Sequence, residues 1–168
     1  MDDRLAGGSA PRVLRAADGE VLGDPGGVRD RFMIDGRDAG GRFALVQHLF
    51  APRALAAALH RHHLEDEYTV VLSGRIGAVL GDVELVAEPG DLVFKPRNQW
   101  HTFWNAGDEP AAVLELISPA GLEQFFRWLG GLPAPPTAEE LAEMAAPYQC
   151  DADPAGTQAL IERHGLTF

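Results

Sequence analysis

HRHHLEDE, residues 60–67, gathers three of the chain's six histidines and three acids into eight residues. On a strand, positions i and i+2 point to the same face, about 6.6 Å apart along the chain. His60 and His62 would then converge on one ion through bonds of about 2.1 Å, with Arg61 and His63 turned away. A polar turn at 63–66 and a returning strand that starts at Glu67 would make a hairpin and bring a carboxylate beside the imidazole pair. Glu65 and Asp66 are rival carboxylates, but acids in a turn are commonly solvated, so Glu67 is favoured.

The stretch is half a site, and the other half lies further on. GDLVFKPRNQWHTFWN (90–105) carries His101 at the opening of a strand whose alternate residues are Phe103 and Asn105. Three imidazoles and one carboxylate form a mixed nitrogen and oxygen set that leaves coordination positions for water, oxygen or substrate. The set suits one divalent transition metal per chain, whether Fe, Mn, Ni, Co, Cu or Zn.

Around these residues the chain reads as all-β. Short apolar segments run from Phe43 to Ser118: 43–50, 54–60, 68–72, 76–80, 83–86, 92–94, 101–104 and 112–117. Turn signals separate them at 73–74, 81–82, 89–90 and 105–110. That spacing predicts a sandwich or closed barrel. The segment ALAAALH (54–60) has helix propensity and is read as strand because its histidine needs one. Residues 1–42 read as an arm with one or two short strands near Val13 and Leu14. Beyond Pro119 the period turns helical. GLEQFFRWLGG would stop at Gly130, Thr137 and Glu140 stand in capping-box register, and Asp153-Pro154 would start a last helix ended by Gly165. The expected organisation is an arm (1–42), a barrel (43–118) and a helical extension (119–168) packed on the barrel or on a second subunit.

These residues resemble the two motifs of the cupin family. The first, G-x5-H-x-H-x(3,4)-E-x6-G, is matched by His60, His62, Glu67 and Gly74, with Ala54 in place of the first glycine. The second, G-x5-P-x-G-x2-H-x3-N, is matched by Gly90, Pro96, His101 and Asn105, with Asn98 in place of glycine. Asn is the non-glycine residue that best tolerates a left-handed turn. The resemblance implies a jelly-roll (double-stranded β-helix) barrel, a metal held by His60, His62, Glu67 and His101, a small-molecule ligand and a homodimer. SPAGLEQFF is similar to the segment after the barrel in small cupins likened to quercetin dioxygenases. The expected function is therefore a metal-dependent dioxygenase-like enzyme. A non-catalytic binding module and a metal-dependent isomerase or lyase are the alternatives.

Other residues compete with plainer roles. Phe103 and Phe94 are candidate pocket walls, with Leu92 and Phe94 read as inward and Lys95 as outward. Gln47 and Gln99 are candidates to orient a ligand. His48 reads as a packed or surface histidine. Glu115 would be an acid/base candidate on an interior face, although an exterior position is expected. His164 suits a helix C-terminus. A proton-transfer catalyst needs a second titratable group beside the metal, and none is evident, which ranks isomerase chemistry below oxidation.

Composition narrows the rest. Fourteen bases against 25 acids give a formal charge of −11, and a single base, Lys95, is lysine. With no basic stripe, nucleic acid and anionic membrane are not expected partners. One cysteine, Cys150, allows no intrachain disulfide. The acidic start MDDRLAGGSAPRV lacks an apolar signal segment and no run reaches a membrane span, so a cytoplasmic protein is expected. There is no serine-triad order, phosphate loop or dinucleotide glycine motif.

Overall fold

The computed structural model describes residues 10–134 and 136–168. Residues 1–9, the start of the expected arm, and Pro135 lie outside them. Alternating segments rich in branched and aromatic residues form the strands, as a pleated, half-buried surface favours. In chain order they are β1 (Glu20–Gly23), β2 (Val28–Ile34), β3 (Ala44–Phe50), β4 (Leu59–His62), β5 (Asp66–Ser73), β6 (Ile76–Leu80), β7 (Val83–Ala87), β8 (Leu92–Lys95), β9 (His101–Asn105) and β10 (Ala111–Ser118). Then come α1 (Glu123–Gly130), α2 (Ala138–Ala145), β11 (Cys150–Asp153) and α3 (Pro154–His164).

The strands form two antiparallel sheets that face each other as a jelly-roll barrel. One runs β1-β2-β3-β10-β5-β8 and the other β11-β4-β9-β6-β7. Their inner faces meet in a core of Phe50, Val71, Ile76, Val93, Phe103 and Val113. On β3, Val46, His48 and Phe50 point in, while Leu45, Gln47 and Leu49 alternate outward. A second cluster places Phe125 and Phe126 of α1 against Phe32, Val46 and Ile117. A third places Leu160 of α3 against Leu55 and Trp104, behind the sheet that carries the histidines. No helix among the described residues is long and apolar enough to cross a membrane.

The two ends of the chain do more than the sequence suggests. Val13 and Leu14 form no strand. Residues 20–23 and 28–34 do, and β2 pairs with β3 so that Asp30 opposes His48. Arg29, Asp30 and Arg31 hide the alternation of that strand from a polarity reading. At the other end, β11 adds itself to β4, with Cys150 opposite His62. Segment 54–60 is mostly irregular, with bridges at Ala54 and Leu55 before β4 begins.

The helix signals hold with small shifts. Glu140 N donates to Thr137 Oγ1 at 3.2 Å and Thr137 N to Glu140 Oε2 at 2.8 Å. Asp153 caps α3 through Gly156 N, and Gly165 takes the left-handed conformation that ends it. α1 includes Gly130 and is capped one residue later, at Gly131.

Candidate metal centre

β4 and β9 lie side by side, and their register sets His60 opposite His101. Parity then carries His62 to the same interior face. The three imidazoles offer nitrogens that all lie within 4.8 Å of one another. His60 Nε2 and His62 Nε2 are 3.0 Å apart, the separation of two nitrogens that subtend a right angle at an ion about 2.1 Å from each. His60 Nδ1 donates to the carbonyl of Ala58 at 2.6 Å, and His101 Nδ1 to that of Gln99 at 2.9 Å. Anchoring one ring nitrogen to a carbonyl leaves the other as a lone pair aimed inward, as metal-binding histidines require. His101 Nε2 is buried and has no hydrogen-bond partner in the protein. Burial, reinforced by His101 and His62, holds His60 well below the usual imidazole range, which keeps it in the neutral, ligating form.

Glu67 reaches these rings from the opposite sheet. β4 pairs with β9 and β11, whereas β5 pairs with β10 and β8. HRHHLEDE is therefore a crossing between sheets and not the hairpin expected. A hairpin would set Glu67 beside the imidazoles, whereas the crossing sets it across from them. Its Oε1 lies 3.4 Å from His62 Nε2 and its Oε2 3.2 Å from His101 Nε2. Burial alone would raise this carboxyl, but Lys95 and His62 outweigh it and hold Glu67 well below the usual range. The arrangement suits a divalent ion, with three converging imidazoles and one ionised carboxylate. Burial opposes charge on His62, but Glu67 raises it to about 10, so an ion taking its place as Glu67's partner would release that proton.

His63 and Asp66 of HRHHLEDE are engaged elsewhere. His63 lies outside the cluster, bonded to Asn98 Oδ1 at 2.8 Å and Asp151 Oδ2 at 3.0 Å. Asp66 pairs with Arg97 at 2.7 Å. Glu65 is buried and not solvated as expected, its Oε2 without a hydrogen-bond partner, and burial pushes its carboxyl above the usual range. Asn98 takes the left-handed φ of 65° that its place in the second motif demands.

A row of charge runs across the inner face of the six-stranded sheet. Lys95 Nζ lies 2.8 Å from Glu67 Oε2 and also bonds Glu115 Oε1. Glu115 accepts from Thr69 Oγ1, and its Oε2 meets His48 Nε2 at 2.8 Å. His48 Nδ1 in turn meets Asp30 Oδ1 at 2.6 Å. Burial opposes charge on His48, yet Asp30 and Glu115 raise it to about 10. Burial and Glu67 push Glu115 up, but Lys95 and His48 bring it down to about 2.

Several orientations read from polarity are thereby reversed. Lys95 points in and is 1% exposed, whereas Leu92 and Phe94 point out at 59% and 46%. Glu115 is also interior. A rule that sends apolar residues inward fails here because the ammonium finds two carboxylates inside. Phe94 stacks on Tyr68 on the outer face, away from the interior. Gln47 is likewise on the outer face, bonded to Arg31. The Gln99 side chain is exposed, and its carbonyl is what reaches the site. Phe103 is interior, 5.8 Å from the His48 ring and 4.0 Å beneath the Lys95 ammonium. His164 ends α3, where it pairs with Glu84 and lies against Trp104. The signals for the missed row were a lone lysine after LVF and a lone acid inside AVLELI.

The barrel has known relatives. A family model described as a cupin domain matches residues 47–117. A comparison with curated proteins found no match. Among solved structures, a sugar phosphate isomerase of the cupin superfamily from Silicibacter pomeroyi shares 26% identity over 64% of this chain and 75% of its own, with a TM-score of 0.55. The polyketide cyclase RemF from Streptomyces resistomycificus shares 24% over 65% of this chain and 80% of its own, with a TM-score of 0.56. KdgF from Halomonas shares 17% over 68% and 99%, with a TM-score of 0.58. With both motifs in register, the barrel in place and the histidines gathered inside it, residues 47–117 form a cupin domain.

Proposed function

We propose that this chain is a metal-dependent enzyme that isomerises, or eliminates from, a small oxygen-bearing organic substrate inside the barrel. The observation that carries the reading is the convergence of His60, His62 and His101 within 4.8 Å, with the Glu67 carboxylate against two of them. An ion held there supplies Lewis acidity or a redox couple. His60 and His101 would hold it through nitrogens oriented by the carbonyls of Ala58 and Gln99, and Phe103 supplies an apolar wall near it.

The choice of reaction turns on what lies beside the centre. The sequence offers no second titratable group there, which favours oxidation. Lys95 lies against Glu67 and Glu115 lies behind it, so that objection to proton-transfer chemistry lapses. The Silicibacter protein at 26% identity is described as a sugar phosphate isomerase, which supports the same reading. Oxidation by dioxygen on the same ligand set is the second reading, supported by the looser likeness of the SPAGLEQFF segment to dioxygenase-like cupins.

The test uses the metal-loaded full chain. Sugar phosphates and hydroxyketones incubated in deuterated water should gain carbon-bound deuterium. Dioxygen consumption with flavonols, catechols or diketones, and no deuterium uptake, would move the assignment to the second reading. Binding without either reaction would make the barrel a binding module.

A further inference from the structure

We propose that Lys95 is a positioning residue of the metal centre: its ammonium withholds one oxygen of Glu67 from the ion, which loosens metal binding and keeps the centre open to substrate. The proposal rests on the metal-binding reading above.

Glu67 and Lys95 are register partners on β5 and β8. Lys95 Nζ sits 2.8 Å from Oε2, the oxygen that faces His101, and leaves Oε1 turned to His62. The ammonium has no freedom to swing away. Glu115 bonds it from the other side, Thr69 and His48 hold Glu115, and Asp30 holds His48. The Phe103 ring lies 4.0 Å away. Each member of this row stands on a strand, so its position is fixed by the sheet. A carboxylate can grip a cation with both oxygens. Here one oxygen is already engaged by a cation that belongs to the protein.

Two effects of Lys95 on an incoming ion have the same sign. A fixed positive charge beside the site repels a dication, more strongly in a buried setting than in water. An engaged oxygen is also unavailable as a ligand. Removing Lys95 should therefore tighten metal binding. A lysine that merely holds the barrel together predicts the reverse, because its loss would loosen the site and weaken binding.

The experiment titrates metal-stripped full-length protein with Mn²⁺ by calorimetry, and measures how strongly bound Mn²⁺ relaxes solvent water. The variants are Lys95→Met, Lys95→Met combined with Glu115→Gln so that no buried carboxylate is stranded, and Lys95→Arg. Both lysine-free variants should bind Mn²⁺ at least about tenfold tighter, a change of about 1.4 kcal/mol, and relax water less, because the second oxygen displaces a water. Lys95→Arg should stay near the parent. Equal or weaker binding by the double variant overturns the proposal, and so does a lysine-free chain that cannot fold. A parent that binds no metal fails the metal-binding reading itself, which separates the two failures.

Discussion

Glu67 and Lys95 face each other across β5 and β8, joined at 2.8 Å in the barrel interior. The pair links two systems that look separate in the sequence. On one side are the imidazoles of β4 and β9, and on the other the charged row that ends at Asp30. Neither is held by a flexible loop, so substitutions in one should be readable without collapse of the other.

The ligand assignment makes a direct prediction. His101→Ala removes a ring whose buried Nε2 converges with His60, His62 and the Glu67 carboxylate, so metal content by elemental analysis should fall from about one ion per chain to a small fraction. His63→Ala should leave it unchanged, because His63 bonds Asn98 and Asp151 outside the cluster. Equal loading of parent and His101→Ala would remove His101 from the site.

How much of the fold and the site is legible in the sequence depends on what each feature rests on. The strands β3 and β5–β10, the capping box and the histidine convergence come from parity and local propensity, which are written in neighbouring residues. The route of HRHHLEDE between sheets is not legible, because a polar turn looks the same whether its flanking strands pair with each other or with others. Nor is the direction of Lys95. Polarity sends a lone lysine outward, and only the non-local arrival of Glu67 and Glu115 makes the interior acceptable. Asp30 and His48 escape for the same reason. Their pairing needs β2 to be recognised as a strand, and its charged residues conceal that.

The charged row should be visible in how stability depends on pH. An imidazole titrates near 6.5 in the unfolded chain, whereas His48 is raised to about 10 in the fold, where Asp30 and Glu115 face it and the rings of Phe50, Phe103 and Phe126 surround it. Below pH 6.5 both states are protonated and the contribution is complete. As pH rises the unfolded chain gives up the proton first, so stability declines and the contribution is lost through pH 10. Urea unfolding of metal-free protein at pH 6 and pH 9.5 should show a larger drop for the parent than for His48→Gln. Equal drops would mean that His48 does not carry the charge.

Gly77 marks a close approach that tolerates no side chain. A Cβ there would lie 2.3 Å from the Trp104 ring, which is itself wedged beneath α3 in the cluster of Leu55, Leu160 and Leu166. Gly77→Ala should therefore cost about 1–3 kcal/mol, the usual penalty of overpacking. Thermal unfolding should show a clear drop in midpoint, and a midpoint within a degree of the parent would show that the ring yields freely.

α3 supports the histidine sheet from behind, and its start can be weakened without touching the site. Asp153 Oδ1 accepts from Gly156 N at 2.9 Å at the first turn, while Pro154 holds the first helical position. Loss of such a cap costs about 1 kcal/mol, so Asp153→Ala should lower the unfolding midpoint. The same residue ends β11, the strand that flanks β4 and sets Cys150 opposite His62. The backbone pairing of β11 with β4 does not need the Asp153 carboxylate, so His60 and His62 should keep their places. Metal stoichiometry by elemental analysis should thus stay at the parent value while stability falls. A matching loss of metal would mean that α3 and β11 hold the ligand strand in place, and are not simply packed behind it.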